Sequence, residues 1–555
     1  MDATEESMKA IIRDAACLAA VVLLTAAPFI FRLGFYSDDW ALIAAFHFDP
    51  SRSLWDIGSL VSSFSARPFH GLYLASLYEA FGLHPLGYHL VNTGVLAASI
   101  AALYVLLLRL GIPRREAFAA AAILIFLPQL STVRVWIAAA QIPLSLLFAL
   151  ASIHCQLSLD RSRNIGWLLP SALFALLSIA SYEIFAPLIA SFPLFLAARH
   201  LREPRAAGRT GIARYEWLLI LVIIALVAIA AFYKMSVSDR AGAVASPERY
   251  IAGAYRFFDL GYDWKNDSSL NLFAALDVHF WRTLTGWART ADSVLDRQID
   301  LWSLAITTIV ASVLWWRLST MNRVTSHRSS SLLLLGLSVF LLGHAIFLIV
   351  PSVMFAPTGM ANRVLVAAAV GVAILLVWAL VLAVSPLPLH FRNHAFSAAI
   401  VMVSILGTAR VAFVGQYWAE APERQRQLLR LARADLQRLP ANATVILDGV
   451  CPYHGPAVVF ETSWDVGGAL SLALGRRVTG DTVSPRMSLT SKGLATSMYK
   501  QPALYPFGPS LYAYNPTLRQ AVPLGDFAIA RRYFAQAGRW HSPCPISYVG
   551  HGTLI

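Results

Sequence analysis

"FYSDDWALIAAF", residues 35–46, follows directly on the apolar run "AACLAAVVLLTAAPFIFRLG" at 15–34. A run of that length can cross a hydrocarbon layer roughly 30 Å thick. Two adjacent carboxylates at its end, Asp38 and Asp39, are more than an ordinary helix end requires. Lipid penalises a charged side chain by about 2.5–3.5 kcal/mol even on lenient scales. The pair is therefore expected to meet water, either as a solvated helix end or as the lining of a wet cavity at the mouth of the first span. Two acids in tandem, flanked by Tyr36 and Trp40, favour the cavity.

The rest of the chain continues the same pattern. Of 555 residues, 57% are hydrophobic and 14% charged, with a mean hydropathy of +0.60. A soluble chain carries about a quarter charged residues. Apolar runs recur at 15–35, 88–108, 117–130, 135–154, 167–181, 184–199, 216–233, 301–318, 331–351, 364–385 and 394–415, an expected eleven spans. The formal charge of +13 sits mainly in short loops between these runs. Orientation signals and lipid head groups account for such loops. There is no basic tail and no aromatic-basic repeat, so nucleic acid is not an expected partner, whereas membrane lipids are. The first run has mixed charges before it and no small-residue cleavage site after it, and is expected to be a retained span.

The basic loops "RLGIPRRE", "LDRSRN", "ARHLREPRAAGRTGIAR", "RLSTMNRVTSHR" and "HFRNH" all fall on one side when the N-terminus is cytoplasmic. That arrangement is the expected one. It gives a multi-pass protein of the plasma membrane (the inner membrane of a bacterium) with an external, periplasmic C-terminus. External segments are then 36–87, 234–300 and the tail 416–555. The tail opens with a helical pattern, "PERQRQLLRLARADLQRL", followed by the strand-like "ATVILDG" and the helical "SWDVGGALSLALG". No G-x-G-x-x-G nucleotide fingerprint is present there. The expected fold is an all-α polytopic membrane domain, 1–415, with a small external α/β C-terminal domain, 416–555. Of four cysteines, Cys17 and Cys155 lie in apolar runs and suit packing. Cys451 and Cys544 lie in the external tail, where a bridge closing roughly 90 residues is expected to contribute about 2–4 kcal/mol.

The stretch "SARPFHGLYLASLYEAFGLHPLGYHLVNTGVLAASIAALYVLLLRLG", 65–111, adds a second motif to the acidic pair. Together the two resemble the membrane glycosyltransferases of the GT-C fold group, nearest to the protein O-mannosyltransferase branch and its bacterial relatives. That branch shows an acidic pair after the first span, an Arg-Pro element, and a Gly-x-x-Pro-x-x-Tyr-His-x-x-Asn stretch entering the second. Here these are Asp38-Asp39, Arg67-Pro68, and Gly82, Pro85, Tyr88, His89 and Asn92. Weaker matches are "FLPQLSTVRVWIAAAQIPLSLLF", with Gln129 where a His is common, and "SIASYEIFAPLIASFPLFL", where Tyr182 replaces the Lys of a Lys-Glu motif and Glu183 is retained. The resemblance covers residues 15–200 well and the later spans by pattern only. No tetratricopeptide repeats follow, so the acceptors of the animal members are not carried over.

The resemblance implies transfer of a sugar from a polyprenyl-phosphate donor to an acceptor glycan, lipid or protein on the external face, by base-assisted inverting displacement. Asp38 would be the base that takes the acceptor's proton, with Asp39 orienting it or the acceptor. Arg363, in "SVMFAPTGMANRVLVAAA", is the foremost candidate for the donor phosphate, which a guanidinium binds bidentately. Arg67 and Arg134 follow, and Arg410 ranks lower. Interfacial snorkelling accounts equally well for Arg363. Glu183 would support Arg67 or the acidic pair, with Tyr88, His89 and Asn92 in supporting places. His47, His70 and His84 in the first external segment, with His89 just after it, show no tight ligand spacing, so no cofactor is expected and a divalent metal is the lesser alternative. Rival readings are an O-antigen ligase or polymerase, and a transporter or lipid flippase. Transporters commonly show inverted halves with broken helices in corresponding places, and these halves do not match.

Overall fold

Proline decides where several apolar runs stop being helix. The computed structural model describes residues 2–202, 214–237, 247–259, 271–295, 300–321, 329–349, 355–484, 486–497 and 502–536. Helix α1, Asp2–Ala26, ends two residues before Pro28, and the chain restarts as α2, Asp38–Phe48, at the acidic pair itself. Two short helices follow, α3 Ile57–Ser63 and α4 Pro68–Phe81, and then the long α5, Pro85–Arg109. Both α4 and α5 begin with proline, which lacks the N–H that a first helical turn leaves unbonded anyway. Helix α6, Arg114–Phe126, bends by 60° at Pro128 into the segment that contains α7, Ser131–Val135. Next come α8 Gln141–Ser162, α9 Leu168–Ser181, α10 Ala186–Arg202, α11 Arg214–Val237, α12 Pro247–Phe258, α13 Leu272–Leu276, α14 Arg282–Leu295, α15 Leu301–Ser319, α16 Ser329–Ala345, α17 Val366–Val384 and α18 Leu389–Leu436.

The chain is a multi-pass membrane protein. Among the described residues seven helices are long and apolar enough to cross, or eight if the bent pair around Pro128 is one span. The runs at 15–35, 167–181 and 184–199, counted among the eleven expected spans, are also helical but do not meet that measure: α1 has 25 residues but carries Lys9, Arg13 and Asp14 beside its apolar part, and the helices of the other two are short. Helix α1 stops at Ala26, α9 has 14 residues and α10 has 17. The basic segments 203–213 and 322–328, part of the second external segment at 260–270, and Cys544 lie outside the described residues. Cys451 is disulfide-bonded.

At one end of the bundle the fully buried Asp14 of α1 meets Arg114 at 2.6 Å, Arg317 and the Tyr104 hydroxyl, which ties α1, α5, α6 and α15 together. A buried carboxylate is tolerated when paired in this way. Helix α18 joins the two halves of the molecule. The run at 394–415 and the tail helix expected from 422 are one continuous helix of 48 residues with Pro422 inside it, so the 415/416 boundary falls within a helix.

Beyond α18 lies a small α/β unit. Its strands are β1 Thr444–Leu447, β2 Tyr453–His454, β3 Ala457–Val458, β4 Thr479–Thr482, β5 Met487–Thr490, β6 Gly493–Thr496, β7 Ala503–Pro506, β8 Leu511–Asn515 and β9 Gln520–Pro523, with helices α19 Ser463–Leu474 and α20 Phe527–Ala535. The main sheet has the order β4-β1-β8-β9, with β4, β1 and β8 parallel and β9 antiparallel. The apolar β1, "TVIL", occupies an interior position, as a strand covered on both faces should. Helix α19 crosses from β3 to β4 and lays its other side against α2, which brings the unit onto the acidic pair.

Candidate active site

The two acids separate into different roles because adjacent helical residues point about 100° apart. Ser37 precedes them with φ of +46°, a left-handed conformation uncommon outside glycine. Such strain costs on the order of 1–3 kcal/mol and persists only where the surroundings impose it. Here they do. The Tyr36 hydroxyl donates to the Trp418 carbonyl of α18, the Tyr36 ring packs edge-on to Trp418, and the Ser37 hydroxyl donates to Glu461 at 3.0 Å. Gly34, one turn earlier, has no room for a Cβ, which would stand 2.8 Å from the Pro422 ring.

Asp39 is 1% exposed and accepts from the amides of Tyr36 at 3.0 Å, Ala138 at 2.8 Å and Ile137 at 3.4 Å. It thereby fastens the start of α2 to the turn that leads into α8. Burial pushes its carboxyl up to about 8 against the pull of those amides. Asp39→Ala leaves three buried donors without an acceptor, each at about 1–3 kcal/mol. The expected result is a clear fall in the thermal midpoint of the purified protein, with Asp38→Ala close to wild type. Equal midpoints for the two variants would remove the anchoring role.

Asp38 is the half-exposed member of the pair. Burial raises its carboxyl above the usual range, while Arg363, the Trp464 indole beside it, and Arg67 pull it back. Arg363 rises from a tight turn, Met360–Leu365, and its guanidinium lies 4.6 Å from the centre of the Trp136 ring. The turn is latched to the α6–α7 bend. Asn362 donates to the Pro128 carbonyl at 2.9 Å and to Ser131 at 2.7 Å, and Thr132 donates to the Gly359 carbonyl at 2.6 Å. Arg67 caps α4 and stacks 4.3 Å above the Tyr182 ring. Its Nη2 bonds Glu183 at 3.3 Å, and Glu183 also receives Lys234 of α11 at 2.5 Å. Burial alone would raise Glu183, but Arg67 and Lys234 overcome it and hold the carboxyl at about 2. Asp38 thus lies within electrostatic reach of two guanidinium groups, one of which, Arg67, is joined through the second carboxylate, Glu183, to an ammonium.

The remaining expected residues are placed elsewhere. Arg134 is buried between α1 and α6, donating to Thr25 at 3.0 Å and to the Ile125 carbonyl, and is spent on helix packing. The hydroxyl of Tyr88 donates to the Gly82 carbonyl at 2.8 Å, His89 bonds the Gly34 carbonyl at 2.9 Å, and Asn92 accepts from Tyr73 at 2.6 Å. These three hold α5 against the turn before α2 and against α4, so they support the pocket from behind. Gln129 bonds Thr283 at 3.0 Å, and Arg410 lies 5.8 Å from the centre of the Phe413 ring. Among the described residues, the group of three side chains able to converge on one metal ion is Asp160, His200 and Glu216, at the opposite ends of α8, α10 and α11.

Three contributors were not foreseen from sequence. Lys234 ends the run read as 216–233, and it supplies to Glu183 the lysine that the Tyr182 replacement removes from the motif. Its legible signal is a lone cation at the end of an apolar run away from the basic loops. Trp464 and Glu461 come from the α/β unit, more than 400 residues from Asp38 in sequence, and no local pattern announces that contact. Gly468 of α19 sets its closeness, since a Cβ there would lie 2.5 Å from the Trp40 carbonyl oxygen of α2.

No known family's sequence profile and no characterised protein sequence matches the chain. Among solved structures it is similar to ArnT from Cupriavidus metallidurans bound to undecaprenyl phosphate, with 14% identity and a TM-score of 0.37, over 84% of this chain and 85% of that one. The apo state of ArnT gives 14% identity and 0.36, over 84% of each. The Archaeoglobus fulgidus oligosaccharyltransferase, in complex with zinc and sulfate, gives 14% and 0.36, over 83% of this chain and 62% of that one.

Proposed function

We propose that this protein is a GT-C-type membrane glycosyltransferase that moves a sugar from a polyprenyl-phosphate donor to an acceptor hydroxyl, with Asp38 as general base. The observation that carries the reading is that the partly buried Asp38 lies within electrostatic reach of Arg67, from the same external segment, and of Arg363, more than 300 residues away in sequence. The acceptor oxygen attacks the sugar's anomeric carbon as the bond from that carbon to the phosphate oxygen breaks. Asp38 takes the acceptor's proton, and the electron pair of the broken bond leaves on the polyprenyl phosphate. The guanidinium groups of Arg363 and Arg67 meet the charge that develops there. Glu183, held ionised between Arg67 and Lys234, fixes the direction of the Arg67 fork. A single displacement of this kind inverts the anomeric centre.

The pocket faces the outside of the cell on the orientation set by the basic loops, and the C-terminal unit lies on that same side. The undecaprenyl phosphate bound in ArnT is of the class of lipid phosphate that would leave from such a donor. The test is turnover of polyprenyl-phosphate sugars by the purified full chain, paired with mass spectrometry of envelope glycans, glycolipids and proteins with the gene intact and deleted. Solute or lipid movement in proteoliposomes, with no donor consumed, would replace the enzyme by a transporter.

A further inference from the structure

Away from the acidic pair, a cavity of about 370 Å³ lies where α15 ends and α18 begins. Arg115 of α6, Trp315 of α15, and Leu389, His390, Asn393 and His394 of α18 form much of its wall. His390 and His394 are four residues apart and so share one face of α18. His394 stacks against Trp315, with ring centres 6.4 Å apart. Arg115 is buried and donates to the Asn393 carbonyl at 2.8 Å and to Ser397, which holds its charge at the wall. Among the described residues, every ionisable side chain of the wall is basic. The first turn of α18 adds the positive end of a helix dipole to the same space. A wall of this composition selects an anion.

The position of the cavity along α18 says which anion. His390 is about 28 residues before Trp418, the residue that holds Tyr36 next to the acidic pair. At about 1.5 Å per residue this is roughly 42 Å, the thickness of a bilayer with its head groups, about 40–45 Å. The cavity therefore sits at head-group level in the leaflet opposite Asp38. Its apolar wall continues onto the outer surface. Trp315 is 41% exposed and Leu389 55%, with Trp316 and Phe391 exposed beside them. A tryptophan at this depth is typical of the membrane interface, and basic pockets between helices suit anionic head groups.

We propose that the cavity binds the phosphate head group of an anionic phospholipid from that leaflet. His390, His394 and Arg115 would take the phosphate, with Trp315 and Leu389 along the glycerol and first methylenes. A soluble phosphate would satisfy the same donors, so the experiment separates the two. The thermal midpoint of the purified full chain in detergent is titrated with dioctanoyl phosphatidylglycerol, dioctanoyl phosphatidylcholine and inorganic phosphate. The expected result is a saturable rise with phosphatidylglycerol that exceeds either of the others. In the double variant His390→Ala/His394→Ala the apparent Kd for phosphatidylglycerol should rise about tenfold or more, the loss of at least one hydrogen bond to a charged group. Arg115→Gln is a second variant, judged against its own unliganded midpoint because Arg115 also bonds α18. An equal rise with phosphatidylcholine, an equal rise with inorganic phosphate, or unchanged affinity in all variants would overturn the proposal.

Discussion

Asp38→Asn should lower turnover of a polyprenyl-phosphate sugar by about 10²–10⁴-fold, the usual worth of general-base catalysis, while leaving the thermal midpoint and donor binding near wild type. The amide keeps the shape of the carboxylate and can still meet Trp464, but it cannot accept a proton. Stability should hold because Asp38, unlike Asp39, bonds no buried backbone amide in the turn. The same assignment fixes a pH dependence. Burial raises the Asp38 carboxyl above the usual carboxylate range. Activity should therefore fall as pH drops through that raised value, because the protonated acid is no longer a base. The check is kcat/KM against pH for wild type, beside single-pH turnover for the variant. Near-normal turnover in Asp38→Asn would reduce "FYSDDWALIAAF" to a polar helix end.

Arg363→Gln should cost about 10²–10³-fold in kcat, the typical loss on removing one group that stabilises developing charge, and should weaken donor binding as well. Arg363→Lys should recover only part of either, since an ammonium neither forks onto two phosphate oxygens nor stacks on Trp136 as a guanidinium does. A second readout separates this from a packing defect. Arg363 lowers the Asp38 carboxyl, so without it the acid limb of kcat/KM should move to higher pH. A variant with lower activity but an unmoved acid limb would place Arg363 away from the base. Full activity in Arg363→Gln would return the residue to interfacial snorkelling.

The parts of the candidate site whose grouping was legible in sequence are those where a local pattern conflicts with the membrane. An acidic pair at the end of an apolar run, a lone Glu183 between two short spans and a lone Arg363 at a span's mouth each need a partner, and the fold sets Arg363 against Asp38 and gives Glu183 Arg67 and Lys234. Arg134 met the same criterion and turned inward instead, because the bend at Pro128 frees the Ile125 carbonyl for it to bond. Sequence could not weigh that bond against the pocket. The bend also breaks the run expected as one span at 117–130 into two helical pieces at 60° to one another. In the tail, "VGQYWAEAPE" looked like a break between a span and a soluble helix. Its Trp418 and Pro422 are instead buried against Tyr36 and Gly34, and burial keeps the helix continuous across a proline.

That continuity has a geometrical consequence. The α/β unit is carried by the same rod that crosses the bilayer, so its orientation about the rod is set by helical phase. One residue added to or removed from α18 beyond Trp418 turns everything after it by about 100° and shifts it by about 1.5 Å. Trp464 and Glu461 would then face away from Asp38 and Ser37 with every local contact in both halves intact. Two such chains could exchange their C-terminal units only where the count of residues between the last lipid-facing turn and the first strand agrees modulo a turn. The unit behaves less like a tethered domain than like the bit of a key, cut at a fixed angle to its shaft.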